Sequence, residues 1–181
     1  LHFSFSDFVY IYKGKSKTVK VPEGIKTIGA SAFWNNVFVE DVILPESLER
    51  LGGDCFYYCK NLKKVNIPKK VWIMGNNPFA GCPKLQITNE SPNFILENGV
   101  LYDKDKTNLI HYTISNPQTE FIVPDGVMCL GKHCFYACNN LQKIVIPKSV
   151  IRFENNPFSG CDHLSLESHT PHYVIENGVI Y

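Results

Sequence analysis

Apolar and polar residues along this chain repeat every 23 positions, and each repeat ends at a proline. The repeat reads Pro, two residues, an aliphatic residue, two residues, another apolar residue, and then Phe-x-x-Cys-x-x-Leu-x-x-Val/Ile-x-Ile-Pro. A fixed period of this length is typical of stacked repeat proteins, because each unit is too small to bury its own apolar face. The prolines are Pro22, Pro45, Pro68, Pro124 and Pro147.

The end of each unit is predicted to be a short β-strand. Leu62 to Ile67 and Leu141 to Ile146 alternate in polarity and are rich in β-branched residues. The proline that follows cannot continue a strand ladder. The Phe-x-x-Cys stretch lacks this alternation and indicates a tight helical turn with its Phe and Cys pointing inwards. Each unit is therefore expected to form one coil of a solenoid.

A longer repeat contains the short one. The segment 76–102 recurs 79 residues later as 155–181. In each copy two short runs flank Asn98-Gly99 or Asn177-Gly178, and Asn-Gly is the dipeptide favoured in two-residue hairpin turns. Each copy is therefore predicted to end in a β-hairpin.

The repeats predict one solenoid domain over residues 1–181, truncated from a longer array. A β-hairpin insertion is expected over 92–123, and the start of a second one over 171–181. Within the first insertion, the run Asn108 to Tyr112 is expected to add a third strand.

Composition and charge narrow the range of partners. Hydrophobic residues make up 44% of the chain and charged residues 19%, as in folded proteins and unlike disordered ones. The formal net charge is +1 with Lys and Arg spread along the whole length, so no basic field is available for nucleic acid or an anionic membrane. No apolar run reaches the roughly 20 residues of a transmembrane segment.

Five units in register and one insertion carry a family resemblance. Units such as LPESLERLGGDCFYYCKNLKKVNIP and VPDGVMCLGKHCFYACNNLQKIVIP, with the insertion ENGVLYDKD, resemble the BspA-type leucine-rich repeat from Pro22 onward. The resemblance implies a right-handed β/α superhelix, a leucine-rich-repeat solenoid of mostly short strands and turns. It also implies a non-catalytic bacterial protein, secreted or on the cell surface. Two departures are Asn36 in the Cys slot and Thr88 where a strand aliphatic is expected.

Seven cysteines raise the question of disulfides. Cys59, Cys82, Cys138 and Cys161 occupy one inward slot, and stacked neighbours roughly 5 Å apart are close enough for a bridge. Asn36 stands in the same slot, however, and side chains stacked in parallel lack the crossed geometry of a disulfide. Since free thiols pack as small hydrophobes, the favoured interpretation is a ladder of reduced thiols, with bridged pairs as the alternative.

The spacing Cys55-x-x-x-Cys59 and Cys134-x-x-x-Cys138 is also compatible with paired zinc ligands. Other units carry Ala32, Pro78 or Pro157 at the slot of the first cysteine, so this slot accepts small or turn-compatible residues. The two pairs are three coils apart and are not expected to converge on one ion. We predict no metal and no cofactor.

No catalytic constellation is visible in the sequence, and the chain is not predicted to be an enzyme. His163, His169 and His172 lie within ten residues and are candidates for a transition-metal site, but solvated loop histidines are the favoured interpretation. No phosphate-binding loop or nucleophile motif is present. Asp54 and Lys132 are expected to point outwards and to be solvated.

Three surfaces are candidates for binding. The outward residues of the strands form an extended face, which is the usual recognition surface of solenoids. Aromatic residues just after the repeated Phe are candidate hot spots, or they cover the edge of their own core. The insertion, with Tyr102, His111 and Tyr112, is the third candidate. The strand candidates are Glu40, Asp41, Lys63, Lys64, Asn66, Gln142 and Lys143, and the aromatic candidates are Trp34, Tyr57, Tyr58 and Tyr136.

The sequence leaves three classes of function open. The favoured hypothesis is a non-catalytic, extracellular or cell-surface binding module that adheres to a protein or glycan ligand, such as host extracellular matrix. The alternative is a structural spacer that projects another domain. A weaker alternative is a carbohydrate-active or metal-dependent enzyme module. The preference for adhesion rests on the family resemblance, since fold alone does not determine function.

Overall fold

A computed structural model describes residues 8–9, 11–176 and 179–181. Within these ranges the chain winds through about seven coils of β-strands and turns, and contains no helix. The predicted repeat solenoid is confirmed, whereas the α-helical part of a β/α superhelix is absent from the described residues. The strands are β1 (Phe8–Val9), β2 (Thr18–Lys20), β3 (Thr27–Ile28), β4 (Asp41–Ile43), β5 (Arg50–Leu51), β6 (Lys64–Ile67), β7 (Ile73–Met74), β8 (Gln86–Asn89), β9 (Phe94–Glu97), β10 (Val100–Asp103), β11 (Asn108–Tyr112), β12 (Glu120–Ile122), β13 (Cys129–Leu130), β14 (Lys143–Ile146), β15 (Arg152–Phe153), β16 (Ser165–Ser168), β17 (Ile175–Glu176) and β18 (Val179–Ile180).

Near the end of each repeat lies a strand of three or four residues, and these strands stack in parallel on one side of the solenoid. They form two separate sheets, β2-β4-β6-β8 and β12-β14-β16. Along the first sheet Val19, Val42 and Val65 pair in register and are buried, as the alternation of polarity predicts. We call the outward surface of these two sheets the long-strand face.

A second side of the solenoid consists of two-residue strands. β1-β3-β5-β7 form one parallel sheet, and β13 and β15 continue the pattern in a sheet of order β15-β13-β11-β10-β9. We call the outward surface of this side the short-strand face. Both parallel ladders are interrupted at the same place, because β7 and β8 each end a sheet just before the insertion.

The third side holds the Phe-x-x-Cys stretches, which are not helical turns as the sequence predicts. They are successive i→i+3 turns, for example Tyr57 N–H to Asp54 O at 3.0 Å and Cys59 N–H to Phe56 O at 3.2 Å. Asp54 and Tyr58 have φ of +55° and +61°, and such left-handed residues cannot belong to a right-handed helical turn. Equivalent pairs of left-handed residues recur in the other coils, at Ser31 and Asn35, Asn77 and Gly81, His133 and Ala137, and Asn156 and Gly160.

The core is a column of phenylalanine rings surrounded by aliphatic side chains. Phe33, Phe56 and Phe79 stack with ring centroids 5.0 and 5.8 Å apart, and all three are fully buried. In place of one coil, β11 inserts His111 against Phe79 and Tyr112 against Phe135. The insertion is therefore part of the packed stack rather than a loose appendage.

The predicted thiol ladder has a specific hydrogen-bonding role. The thiols of Cys59 and Cys82 each donate to the carbonyl of the repeated Phe one coil earlier, with S···O distances of 3.0 Å. Asn36, in the same slot, also donates to a carbonyl of an earlier segment, with its Nδ2 2.9 Å from Gly14 O. Burial raises the pKa of the Cys59 thiol to about 12, so it keeps the proton that it donates. This geometry supports the reduced ladder over bridged pairs.

The predicted turn Asn98-Gly99 joins β9 and β10 as an antiparallel hairpin, and β11 adds the third strand. Asn98 and Gly99 both have positive φ, +48° and +76°, as a two-residue hairpin turn requires. β17 and β18 are also antiparallel, but the predicted turn Asn177-Gly178 lies outside the described residues. The insertion bounds 92–123 and 171–181 stay predictions.

The expectation of an inward aliphatic residue at Thr88 is wrong by one position. Ile87 pairs with Val65 and packs against the core, whereas Thr88 is exposed opposite Asn66. Ile87 follows Leu85 by two residues, as Leu166 follows Leu164, whereas Val65 follows Leu62 by three, so the same apolar slot falls one residue earlier in these two units.

Adjacent coils approach closely at a column of glycines, and this contact makes a testable prediction. A Cβ on Gly75 would lie 2.3 Å from the backbone nitrogen of Gly53, so Gly75→Ala must push two coils apart. We expect a loss of about 1–3 kcal/mol in the free energy of unfolding, measured by chemical denaturation. Gly53→Ala is the control, because its Cβ would come no closer than 3.3 Å to Asn76 O. Equal losses in both variants would contradict this explanation.

Candidate binding surfaces

The charged candidates on the long-strand face mostly pair with one another. Glu40 contacts Lys63 on one side and Lys17 on the other, at 3.1 Å. The hydrogen bonds from Lys63 and Lys17 hold the pKa of the Glu40 carboxyl below its usual value. Asp41 and Lys64 lie opposite each other in register, but they form no ion pair among the described residues.

The same pairing recurs in the second sheet. Lys143 reaches Glu167 at 2.6 Å and Glu120 at 3.4 Å, while Gln142 stays exposed on the neighbouring turn. Asn66 donates to Glu90 and accepts from Thr88. The structure thus places all seven strand candidates on one side of the solenoid, but partners within the chain already satisfy Glu40, Lys63, Asn66 and Lys143.

The aromatic candidates divide into a cluster and a separate tryptophan. Tyr57, Tyr58 and Tyr136 come together, with ring centroids 5.9 Å apart for Tyr57–Tyr136 and 5.7 Å for Tyr58–Tyr136. The hydroxyls of Tyr58 and Tyr136 are hydrogen-bonded to each other. Trp34 is 58% exposed and makes no ring contact among the described residues. The hydroxyls that would bind a partner are therefore partly used within the cluster.

Asp54 and Lys132 also belong to this cluster, so the expectation that both are solvated is wrong. The Lys132 ammonium lies 3.2 Å from the Asp54 carboxylate, and both side chains are about one-third exposed. His133 packs edge-on against Tyr136, and burial lowers its pKa. We call Asp54, Tyr57, Tyr58, Lys132, His133 and Tyr136 the tyrosine cluster.

The tyrosine cluster forms because the coil between its two halves has small residues. A Cβ on Gly81 would lie 2.9 Å from Tyr58 Cδ2, so the absence of a side chain lets Tyr58 extend over that coil. Tyr58 itself adopts φ of +61° at the slot where other coils have Asn35, Gly81, Ala137 or Gly160. A bulky side chain is strained in this left-handed region of φ. The repeat cannot indicate the contact between Tyr58 and Tyr136, because the two residues lie 78 positions apart.

The insertion residues Tyr102, His111 and Tyr112 are fully buried. They pack into the stack and are not available to a ligand, so the third candidate surface is wrong for these side chains. Burial is also the cause of the low His111 pKa, about 4.

Sequence reasoning missed a column of apolar residues on the short-strand face. The position after the first aliphatic slot of each unit holds Lys26 and Glu49, which form an ion pair at 3.6 Å. In the later units it holds apolar residues, although the insertion places Thr107 in the stacked position directly before Met128. We call these later residues the apolar column. They are Trp72, Met128, Ile151 and Val174, with exposed fractions of 51%, 44%, 45% and 57%.

The apolar column was visible in the repeat alignment, because one template position changes from charged to apolar along the chain. Within it a backbone hydrogen bond joins Met128 and Ile151, from Ile151 N–H to Met128 O, whereas Trp72 N–H donates to Glu49 O and Met128 N–H to Thr107 O. The sequence does not single out the short-strand face as a surface, because a strand of two residues is too short to show the alternation of apolar and polar positions.

Two hollows flank the turn 103–108 within this column. The hollow next to Trp72 has a volume of about 480 Å³, and the hollow next to Met128, Cys129 and Ile151 has a volume of about 460 Å³. Asp103 shapes the turn between them, since its carboxylate accepts from the Thr107 N–H, the Thr107 hydroxyl and the Asn108 N–H. Polar and apolar groups thus alternate along the short-strand face.

The candidate metal ligands do not converge. His169 contacts Glu167 at 2.9 Å, His163 and His172 are exposed, and Cys55 and Cys134 are buried in the core. Among the described residues, no three His, Cys, Asp or Glu side chains lie together as ligands of one ion. A helix of sufficient length and apolarity to span a membrane is likewise not found in this part of the chain.

The repeats of this solenoid match a known family of proteins. The sequence profile of the BspA type leucine-rich repeat region matches residues 4–108 and 110–178, in six copies. No curated protein matches the chain.

Solved structures of bacterial leucine-rich repeat proteins share the fold. A leucine-rich cell surface protein from Faecalibacterium prausnitzii is 28% identical with a TM-score of 0.78, over 85% of this chain and 41% of that one. The pneumococcal vaccine antigen PcpA is 19% identical with a TM-score of 0.65, over 90% and 54%. A leucine-rich repeat protein from Eubacterium ventriosum is 21% identical with a TM-score of 0.64, over 86% and 54%.

The present chain thus spans only about half the length of these proteins. The profile match covers nearly all of it. The chain belongs to the BspA-type leucine-rich repeat family.

Proposed function

We propose that this chain is a non-catalytic recognition module of an extracellular bacterial surface protein, and that it adheres to a host or matrix protein or a glycan through its solenoid surface. The family and its solved cell-surface member support this proposal, since both are consistent with a binding or structural module on the cell surface.

The apolar column is the observation that carries the proposal. Trp72, Met128 and Ile151 are each about half exposed although they belong to different coils, so the repeat does not require them for its own core. Met128 and Ile151 are stacked neighbours, and contiguous exposed apolar surface marks interaction sites, whereas scattered single residues do not. The ion pair Lys26–Glu49 at the same template position shows that the solenoid tolerates charge there.

The test compares two faces of the purified protein on panels of immobilised matrix proteins and glycans. Met128→Asp combined with Ile151→Asp places two charges in the apolar column. We expect roughly ten-fold or greater loss of affinity, because buried apolar anchors dominate interface energetics.

The matched control is Lys63→Glu combined with Lys64→Glu on the long-strand face, which we expect to leave binding within about two-fold if contacts there are peripheral. Loss of binding in this control alone would move the site to the long-strand face. Absence of saturable binding to every panel member would favour the spacer.

The spacer is the second candidate, and the tyrosine cluster favours it. Asp54, Tyr58, Lys132 and Tyr136 link coils on either side of the insertion. Contacts of this kind stiffen the solenoid, which is the property that a spacer projecting another domain needs.

A further inference from the structure

The hollow beside Trp72 has the side chains of a saccharide site. It lies between β7 and β11, where the ladder of the short-strand face is interrupted. Its volume of about 480 Å³ falls within the range of roughly 300–1,000 Å³ that is usual for small-molecule sites. No repeat position other than Trp72 supplies an aromatic ring to the apolar column.

Trp72 is held as an open aromatic platform. The guanidinium of Arg50, from the preceding coil, lies 5.0 Å from the centroid of the Trp72 ring, which is the geometry of a cation–π contact. The hollow lies on the side of the following strand. The indole therefore stands between Arg50 and the hollow, and half of its surface remains exposed.

The polar groups around the hollow complement hydroxyl groups. Asn93, Asp105 and Asn108 supply two amides and a carboxylate. Asp105 is exposed and forms no ion pair with any described residue.

The charges at the hollow balance. Asp103 and Asp105 line it together with Lys104, and Arg50 lies against the Trp72 ring, so no excess of one sign attracts a charged ligand. A neutral sugar combines an apolar ring face, which stacks on an indole, with hydroxyl groups that donate to carboxylates and amide oxygens.

The hollow is not a by-product of the repeat. The residues 79 positions after Trp72 and Asn93 are Ile151 and His172, so the second copy keeps the coil but not this combination. Residues that the fold does not dictate are the ones free to serve binding.

We propose that the hollow lined by Trp72, Asn93, Asp105 and Asn108 is a subsite for a neutral sugar residue of a glycan. This proposal rests on the proposed function and names the ligand class at one end of the apolar column.

The test uses a panel of neutral hexose and N-acetylhexosamine oligosaccharides, with sulfated forms of the same oligosaccharides. Binding is followed by calorimetry and by tryptophan fluorescence. The chain has two tryptophans, so a Trp34→Phe background leaves Trp72 as the single reporter. We expect saturable binding of a neutral oligosaccharide, a fluorescence change, and no tighter binding of its sulfated form.

Two variants locate the sugar. Trp72→Ala and, separately, Asp105→Asn should each weaken binding roughly ten-fold or more, and Trp34→Ala should leave it unchanged. Both altered residues are exposed, and Asp105→Asn alters only a solvated loop, so it tests the site even if Trp72→Ala is poorly folded.

The outcomes separate this subsite from the proposed function. No binding of neutral oligosaccharides, a preference for sulfated forms, or full binding by Trp72→Ala and Asp105→Asn would each overturn the subsite. If Met128→Asp with Ile151→Asp still abolishes attachment to a matrix protein in that case, the proposed function stands without the sugar site.

Discussion

Replacing Phe56 by alanine is expected to lower the free energy of unfolding by about 3–5 kcal/mol, the range found when a buried phenylalanine is truncated. Phe56 is fully buried, and its ring stacks on Phe33 at 5.0 Å and on Phe79 at 5.8 Å. The loss is large because the cavity would open in the middle of a column, where rings on both sides lose a contact. Chemical denaturation of the purified protein measures it.

Trp34→Ala is the control for this prediction. It also removes an aromatic ring from a Phe-x-x-Cys turn, but Trp34 is 58% exposed, so we expect a change within about 0.5 kcal/mol. Similar losses in the two variants would show that the phenylalanine column does not dominate the stability of the stack.

Acidification from pH 7 to pH 5 is expected to cost about 2 kcal/mol of stability through His111 alone. His111 is fully buried against Phe79, and burial lowers its pKa from 6.5 to about 4. The folded protein therefore keeps the imidazole neutral, while the unfolded chain takes up a proton below pH 6.5. This contribution to stability is complete above pH 6.5 and is lost as the pH falls towards 4.

His111→Gln isolates this contribution, because glutamine does not titrate. The variant should be less stable than the wild type at pH 7, yet the difference between them should shrink by about 2 kcal/mol at pH 5. His163→Gln, at an exposed position, should keep the wild-type pH dependence. A constant difference between His111→Gln and the wild type at both pH values would contradict the role of the buried imidazole.

The repeat predicts the fold because it acts on every coil in the same way. One template position determines the burial of Phe33, Phe56 and Phe79, and another determines the valines of the long strands. The hairpin at Asn98-Gly99 is predictable for a local reason, namely the positive φ that both residues adopt.

The errors have two causes. The helical turn is predicted because the Phe-x-x-Cys stretch lacks the alternation of a strand, but the residues at the positions of Asp54 and Tyr58 have positive φ in each of these coils, which the apolar pattern does not indicate. The ion pair Asp54–Lys132 joins residues 78 apart, a separation that crosses an insertion. A repeat indicates which residues meet in adjacent coils, but it does not indicate contacts between coils that are further apart.

The candidate surfaces were harder to predict than the core for the same reason. Lys63 and Lys143 are outward as predicted, but only the structure shows that Glu40 and Glu167 already neutralise them. The exposure of Trp72, Met128 and Ile151 follows from their register in two-residue strands, which periodicity alone does not detect.

The position of the tyrosine cluster has a mechanical consequence. Both parallel ladders stop between β7–β8 and β11–β12, so the hydrogen-bonded sheets do not transmit tension along the axis across this junction. Tyr58 and Asp54 stand before the junction, and Tyr136 and Lys132 stand behind it. Under tension along the axis, the Tyr58–Tyr136 and Asp54–Lys132 contacts therefore join the two halves of the solenoid across the interrupted ladders.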